Sequence, residues 1–259
     1  AYLKFLFVAF KICVWFSKVL GFHGDWLLSS EFLQSRLRNQ GQIERLKQLV
    51  DPIFDEIVVV LYMRQPLISA LSLWSTSIKS GASSRSFPLP DDPYYSHAFN
   101  HMQTVQNWSS VFGVSSVKAR IFDRDFLYSQ DIVKDLLFVI GLKSSIPSFL
   151  FPSKENLRLS AHQLGLLIEF NCYFHGSGSY GSSLFSLGGS DYSDRSYFPS
   201  ADIANAYKLY FGDSDRWVRE NYAPDSPLDW HSMYSGLANS GPLYEPSIAE
   251  KSLIELYSA

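Results

Sequence analysis

Apolar positions along the chain fall into two kinds of run, and their alternation predicts the architecture. Glu56 to Met63 (EIVVVLYM) is β-branched and apolar without alternation, the pattern of a strand buried on both faces of a parallel sheet. Pro66 opens the next segment, where Leu67, Leu71, Trp74 and Ile78 recur at helical spacing and form a core stripe. Tyr94 to Phe112 carries a similar stripe through Ala98, Met102, Val105, Trp108 and Phe112, and Gly113 ends it. Val117 to Phe122 reads as a second strand. Asp131 to Ile140 reads as a helix with Ile132, Val133, Leu136, Leu137 and Ile140 inward, stopped by Gly141. Residues 57–63 and 117–122 are therefore expected as central strands, with helices over 67–79 and 94–112 packed on them.

The flanking segments are weaker. Asp25 to Glu31 predicts a short strand ending in polar residues, and Phe32 to Val50 a helix that Asn39 to Gly41 interrupt and Asp51-Pro52 break. Ser80 to Pro93 is a Ser/Pro/Asp-rich loop, and Gly176 to Ser196 a Gly/Ser-rich one. Leu159 to Phe174 predicts a helix capped by Ser160, and Ser200 caps another through Phe211; the tail beyond Gly212 is weakly patterned. Three divisions follow: an apolar segment 1–22, an α/β domain 23–215 and a weakly structured extension 216–259. Strands alternating with helices place the domain in the α/β class with a mostly parallel sheet.

Composition narrows the function classes. The 259 residues are 46% hydrophobic and 18% charged, enough to bury a sizeable core. A formal net charge of -3 supplies no global field for nucleic acid, so any anion site is local. Cys13 and Cys172 form no CxxC pair and read as small buried hydrophobes. His97 and His101 share a helical face, but the Glu of a zinc-protease motif is missing, so no metal is expected. Residues 1–22 hold Lys4, Lys11 and Lys18 as their only charges. A buried or interfacial helix is the favoured reading and a signal anchor the alternative, so the expected location is cytoplasmic, or membrane-associated through this segment.

The segment with chemistry in it is Val60-Leu-Tyr-Met-Arg64-Gln-Pro66-Leu-Ile-Ser69-Ala-Leu-Ser72. Ligands of open α/β sheets bind beyond the carboxyl ends of strands. A helix N-terminus offers free N–H groups and a positive dipole end, and an arginine offers a fixed fork of donors that suits a phosphate. Ser69 and Ser72 lie three apart on one helical face, and Lys79 with Gly81 just past the helix adds a candidate cation.

Arg64, Pro66 and Ser72 match, position by position, the 3′-phosphate-binding signature of sulfotransferases that use 3′-phosphoadenosine 5′-phosphosulfate (PAPS), and the chain resembles bacterial members of that family. Leu27 to Leu33, Trp108 to Gly113, the strand to Phe122-Asp-Arg-Asp, Asp131 to Gly141 and Asn156 to Ser160 are similar to family segments in order and character, so that the likeness spans about residues 25–215. The resemblance implies a P-loop-NTPase-like fold, PAPS as cofactor, and Arg64 and Ser72 as ligands of its 3′-phosphate. It also implies transfer of the sulfuryl group to a hydroxyl of a carbohydrate or other small metabolite, with Glu31 as base. A helix-start Glu capped by Ser29 or Ser30 is the plain alternative for Glu31. The family's Gly/Lys/Thr/Ser-rich phosphosulfate loop has no counterpart in residues 1–25, which leaves the N-terminal unit incomplete and predicts impaired turnover or a non-catalytic relative that retains the fold. A P-loop kinase is disfavoured, because no GxxxxGK[ST] occurs.

Overall fold

The computed structural model describes residues 27, 33, 36–143, 159–174, 196–224, 230, 232–235 and 240–258. In chain order the elements are α1 (Gln40–Val50), β1 (Val59–Met63), α2 (Pro66–Lys79), α3 (Pro93–Ala98), α4 (His101–Phe112), β2 (Val117–Ile121), α5 (Ile132–Val139), α6 (Ala161–Tyr173), β3 (Ser196–Tyr197), α7 (Ala201–Tyr222), β4 (Ser240–Gly241) and α8 (Ile248–Ser258). The protein is thus mixed α/β, mostly helical, with small parallel strand pairs. It divides into two compact units, residues 1–64, 96–151 and 213–228 in one and 65–95, 152–212 and 229–259 in the other.

The first unit is built on β1 and β2, which pair in parallel from Val59↔Val117 to Met63↔Ile121. α4 packs against both strands and α1 packs against α4. α1 starts where Asn39 accepts a hydrogen bond from Gln42 N–H, so the expected interruption is a helix start, and Ile43, Leu46 and Val50 form its buried stripe. The strand expected over 56–63 begins only at Val59. Its ends, Val59 and Met63, are buried but its middle is part-exposed, because β2 is its one strand neighbour among the described residues. The helix expected over 94–112 is two helices. Asn100 leaves helical geometry and accepts a hydrogen bond from Gln103 N–H, which ends α3 and caps α4.

α5 also departs from its predicted face. Val133 is exposed, Leu137 is buried, and the fully buried position is Asp135, which the apolar pattern passes over. Tyr62 and Arg120, opposite each other across the strand pair, both donate to Asp135 Oδ2, at 2.8 and 3.1 Å, and Tyr128 N–H donates to Oδ1 at 2.8 Å. Burial alone would push this carboxyl up. The bonds from Arg120, Tyr128 and Tyr62, with the Arg120 charge, hold it below the usual carboxylate range. The network pins α5 to the sheet with every strong acceptor satisfied.

The second unit is helical. α2 packs on α6, and α6 on α8 and β3. The predicted stripe of α2 holds, with Leu67, Leu71, Trp74 and Ile78 all buried. A capping box between Ser160 and Gln163 starts α6. Farther along α6, Asn171 Nδ2 donates to the carbonyls of Ile78 and Ala82, 2.8 Å each, and so satisfies the last turn of α2. Trp74, Phe87 and Tyr197 pack at a tilt in one aromatic cluster, with the Tyr197 ring centroid 4.9 Å and that of Phe87 5.6 Å from the Trp74 ring centroid. Ser200 caps α7 as expected, but the helix runs on to Tyr222, and α8 lies in the tail where little pattern was legible. Two expected elements, the strand over 25–31 and the Gly/Ser-rich loop over 176–196, fall almost wholly outside the described residues, as do residues 1–22. Among the described residues, no helix is long and apolar enough to cross a membrane.

Candidate anion site

Arg64 directly follows β1, at the carboxyl end of a parallel pair, where the sequence reading put it. The strand pairing continues one step beyond the ladder, since Phe122 N–H donates to Met63 O at 2.6 Å. That step sets the Phe122 ring under the Arg64 guanidinium, whose central carbon lies 5.4 Å from the ring centroid. The Arg64 backbone is held as well. Its carbonyl lies 2.6 Å from His101 Nε2, and because a carbonyl oxygen only accepts, Nε2 carries a hydrogen and donates. Burial lowers the His101 pKa to about 4, against the opposing pull of that carbonyl. The side chain of Arg64 is part-exposed, and what precedes and follows it in the first unit is fixed: strand behind, aromatic plate beneath, buried imidazole on the carbonyl.

The start of α2, in the second unit, has a different economy of donors from the one expected. Pro66 has no N–H. Gln65 caps the helix with its side chain, Oε1 accepting from Ile68 N–H at 2.7 Å, while the Gln65 carbonyl accepts Ser69 N–H at 3.0 Å. Of the first-turn N–H groups, that of Leu67 is left outside these bonds, instead of the open set a bare helix end presents. Gln65 itself is 2% exposed, and its Nε2 is buried with no hydrogen-bond partner among the described residues. A buried amide N–H₂ without an acceptor is costly, and Trp74 Nε1 shares this condition among the described residues. Sequence reasoning missed Gln65; its only signal was its place between Arg64 and Pro66, where a cap must sit.

Ser72 is exposed and Ser69 part-buried, on one side of α2 as their spacing requires. Lys79 is in the last turn of α2, ten residues beyond Ser69, and a helical rise separates them by about 15 Å. It sits at the negative end of the helix dipole, where a cation is stabilising, and is not part of the first turn. Glu31 lies outside the described residues. His101 is sequestered on the Arg64 carbonyl, and among the described residues no cluster of three or more metal-ligating side chains occurs. No protein-family model, curated protein or solved structure matches the chain.

Proposed function

We propose that the chain binds a 3′-phosphorylated adenine nucleotide in the manner of the PAPS-dependent sulfotransferases it resembles, with Arg64 as the principal phosphate ligand. The observation that carries this reading is the placing of Arg64. An arginine at the carboxyl end of a parallel strand pair, its guanidinium lying over Phe122 and its carbonyl held by His101, is preorganised to present a flat fork of donors to an anion. Ser72, eight residues on, and Ser69 join it on the strength of motif spacing along the chain.

In this reading PAPS is the cofactor and the acceptor is a hydroxyl of a carbohydrate or other small metabolite, with Glu31 as its base. Transfer would be driven by positioning and by stabilising charge as the sulfuryl group moves in line. Arg64 and Ser72 grip the 3′-phosphate and not the group transferred, so they position the nucleotide without stabilising the leaving oxygen. We propose a transferase of impaired turnover or, as the alternative, a non-catalytic relative that retains the fold, in either of which nucleotide binding exceeds turnover. The test is calorimetric titration with 3′,5′-bisphosphoadenosine and with ATP, alongside a labelled-PAPS assay on a panel of sugars. Saturable binding of the bisphosphate over ATP supports the reading, and preference for ATP contradicts it.

A further inference from the structure

The second unit contains an open cleft of about 870 Å³ that the reading above does not use. Its size falls in the range of small-molecule sites, about 300–1,000 Å³. Its apolar lining comprises Phe87, Tyr197 and Tyr234, which are buried, and the more exposed Pro242 and Leu243, with Trp74 packed at a tilt against Phe87 and Tyr197. One rim is α7. Ala201, Asn205 and Lys208 are spaced four and three apart, so they share a helical face, and all three line the cleft.

Charge in the cleft is unbalanced. Arg85 is neutralised, because its guanidinium pairs with Glu169 at 3.3 Å and with Glu245 at 3.0 Å and donates to the Tyr244 carbonyl at 2.7 Å. Glu245, the carboxylate lining the cleft, is committed to that pair. Lys208 is part-buried and has no carboxylate partner among the described residues. The cleft thus combines an apolar side, where Pro242 and Leu243 sit with the buried rings of Phe87, Tyr197 and Tyr234, with one uncompensated ammonium and the Asn205 amide on the same helical face. Such a surface matches a flat apolar body that carries one negative charge.

We infer that this cleft is a binding site for a small organic anion with an aromatic ring, its acidic group paired with Lys208 and its ring laid against the apolar lining at Pro242 and Leu243. The inference does not rest on the nucleotide reading, and it assigns a second ligand class to the chain. The probe is p-toluenesulfonate, with the isosteric but neutral p-toluenesulfonamide as comparison, in ligand-observed NMR titrations on the full chain. The sulfonate should bind at millimolar concentration or below, about tenfold more tightly than the sulfonamide, as a charge-assisted contact in a partly desolvated site allows. Lys208→Gln should abolish that preference while leaving the melting curve unchanged, and Lys47→Gln, on α1, should leave the preference intact. Arg64→Ala should also leave it intact, which separates this cleft from the nucleotide site. Equal affinity for the two probes, absence of sulfonate binding, or a preference that survives Lys208→Gln would each overturn the assignment.

Discussion

The Nε2 of His101 lies 2.6 Å from the carbonyl oxygen of Arg64, which ties the first residue of α4 to the residue that follows β1. A strand end is normally free to fray, and here a buried side chain holds it. The bond to the carbonyl by itself favours a protonated ring, and burial outweighs it and keeps the imidazole neutral.

That relationship makes stability depend on pH in one direction. The His101 pKa is about 4 in the folded protein against 6.5 for the unperturbed side chain, so between these values the unfolded chain binds a proton that the folded one refuses. The stabilisation is therefore full above pH 6.5 and is lost as pH falls toward 4, by an amount on the order of 3 kcal/mol. Urea midpoints at pH 7 and pH 5 should differ in the wild type, and that difference should shrink in His101→Gln. An unchanged difference would mean that other groups cause it.

Asp135 is the second buried ionisable group of this unit, and it is held in the opposite sense. Removing it strands the part-exposed Arg120 and the Tyr62 hydroxyl, so Asp135→Ala should cost about 2–4 kcal/mol. Tyr62→Phe removes one neutral-to-charged hydrogen bond and should cost about 1–2 kcal/mol. The Asp135 carboxyl titrates below its unfolded value, so its contribution is present at neutral pH and disappears in acid. Denaturant titration of the two variants at neutral pH decides the magnitudes; a neutral Asp135→Ala would remove the network from any structural role.

In the second unit, Gly165 sits where α6 meets the backbone at Tyr244. A Cβ on residue 165 would lie 2.2 Å from the Tyr244 carbonyl oxygen, and that segment is itself fixed by a hydrogen bond from Tyr244 N–H to Ala161 O. Replacing a mid-helix glycine by alanine ordinarily stabilises by about 1 kcal/mol. Here Gly165→Ala should destabilise by about 1–3 kcal/mol, because backbone must move to admit the methyl. A melting temperature raised by the substitution would contradict the close approach.

The parts legible in the sequence were those set by local signals. Pro66 and the Leu67/Leu71/Trp74/Ile78 stripe define α2, and Gly113, with its φ of 89°, ends α4 as a glycine must. The break between α3 and α4 was not legible, because Ala98, Met102 and Val105 keep helical phase across it while the Asn100 side chain competes for the backbone. Asp135 was hidden for another reason: its partners Tyr62 and Arg120 come from two strands far away in sequence, and only the folded chain brings them together. Of the candidate site, Arg64 follows a parallel strand, as the apolar run that ends at Met63 predicts. The donors of the helix start were overcounted, since the sequence does not say that Gln65 takes up two of them, Ile68 N–H on its side-chain oxygen and Ser69 N–H on its carbonyl.

The central claim is that Arg64 is a phosphate ligand, and calorimetric titration of 3′,5′-bisphosphoadenosine into wild type, Arg64→Ala and Lys79→Ala tests it most directly. The account predicts saturable binding to the wild type and a loss of about 1.5–3 kcal/mol in Arg64→Ala, the worth of hydrogen bonds to a charged group. It predicts no change in Lys79→Ala, whose side chain leaves the far end of α2. No binding to the wild type, or equal binding to wild type and Arg64→Ala, would contradict it.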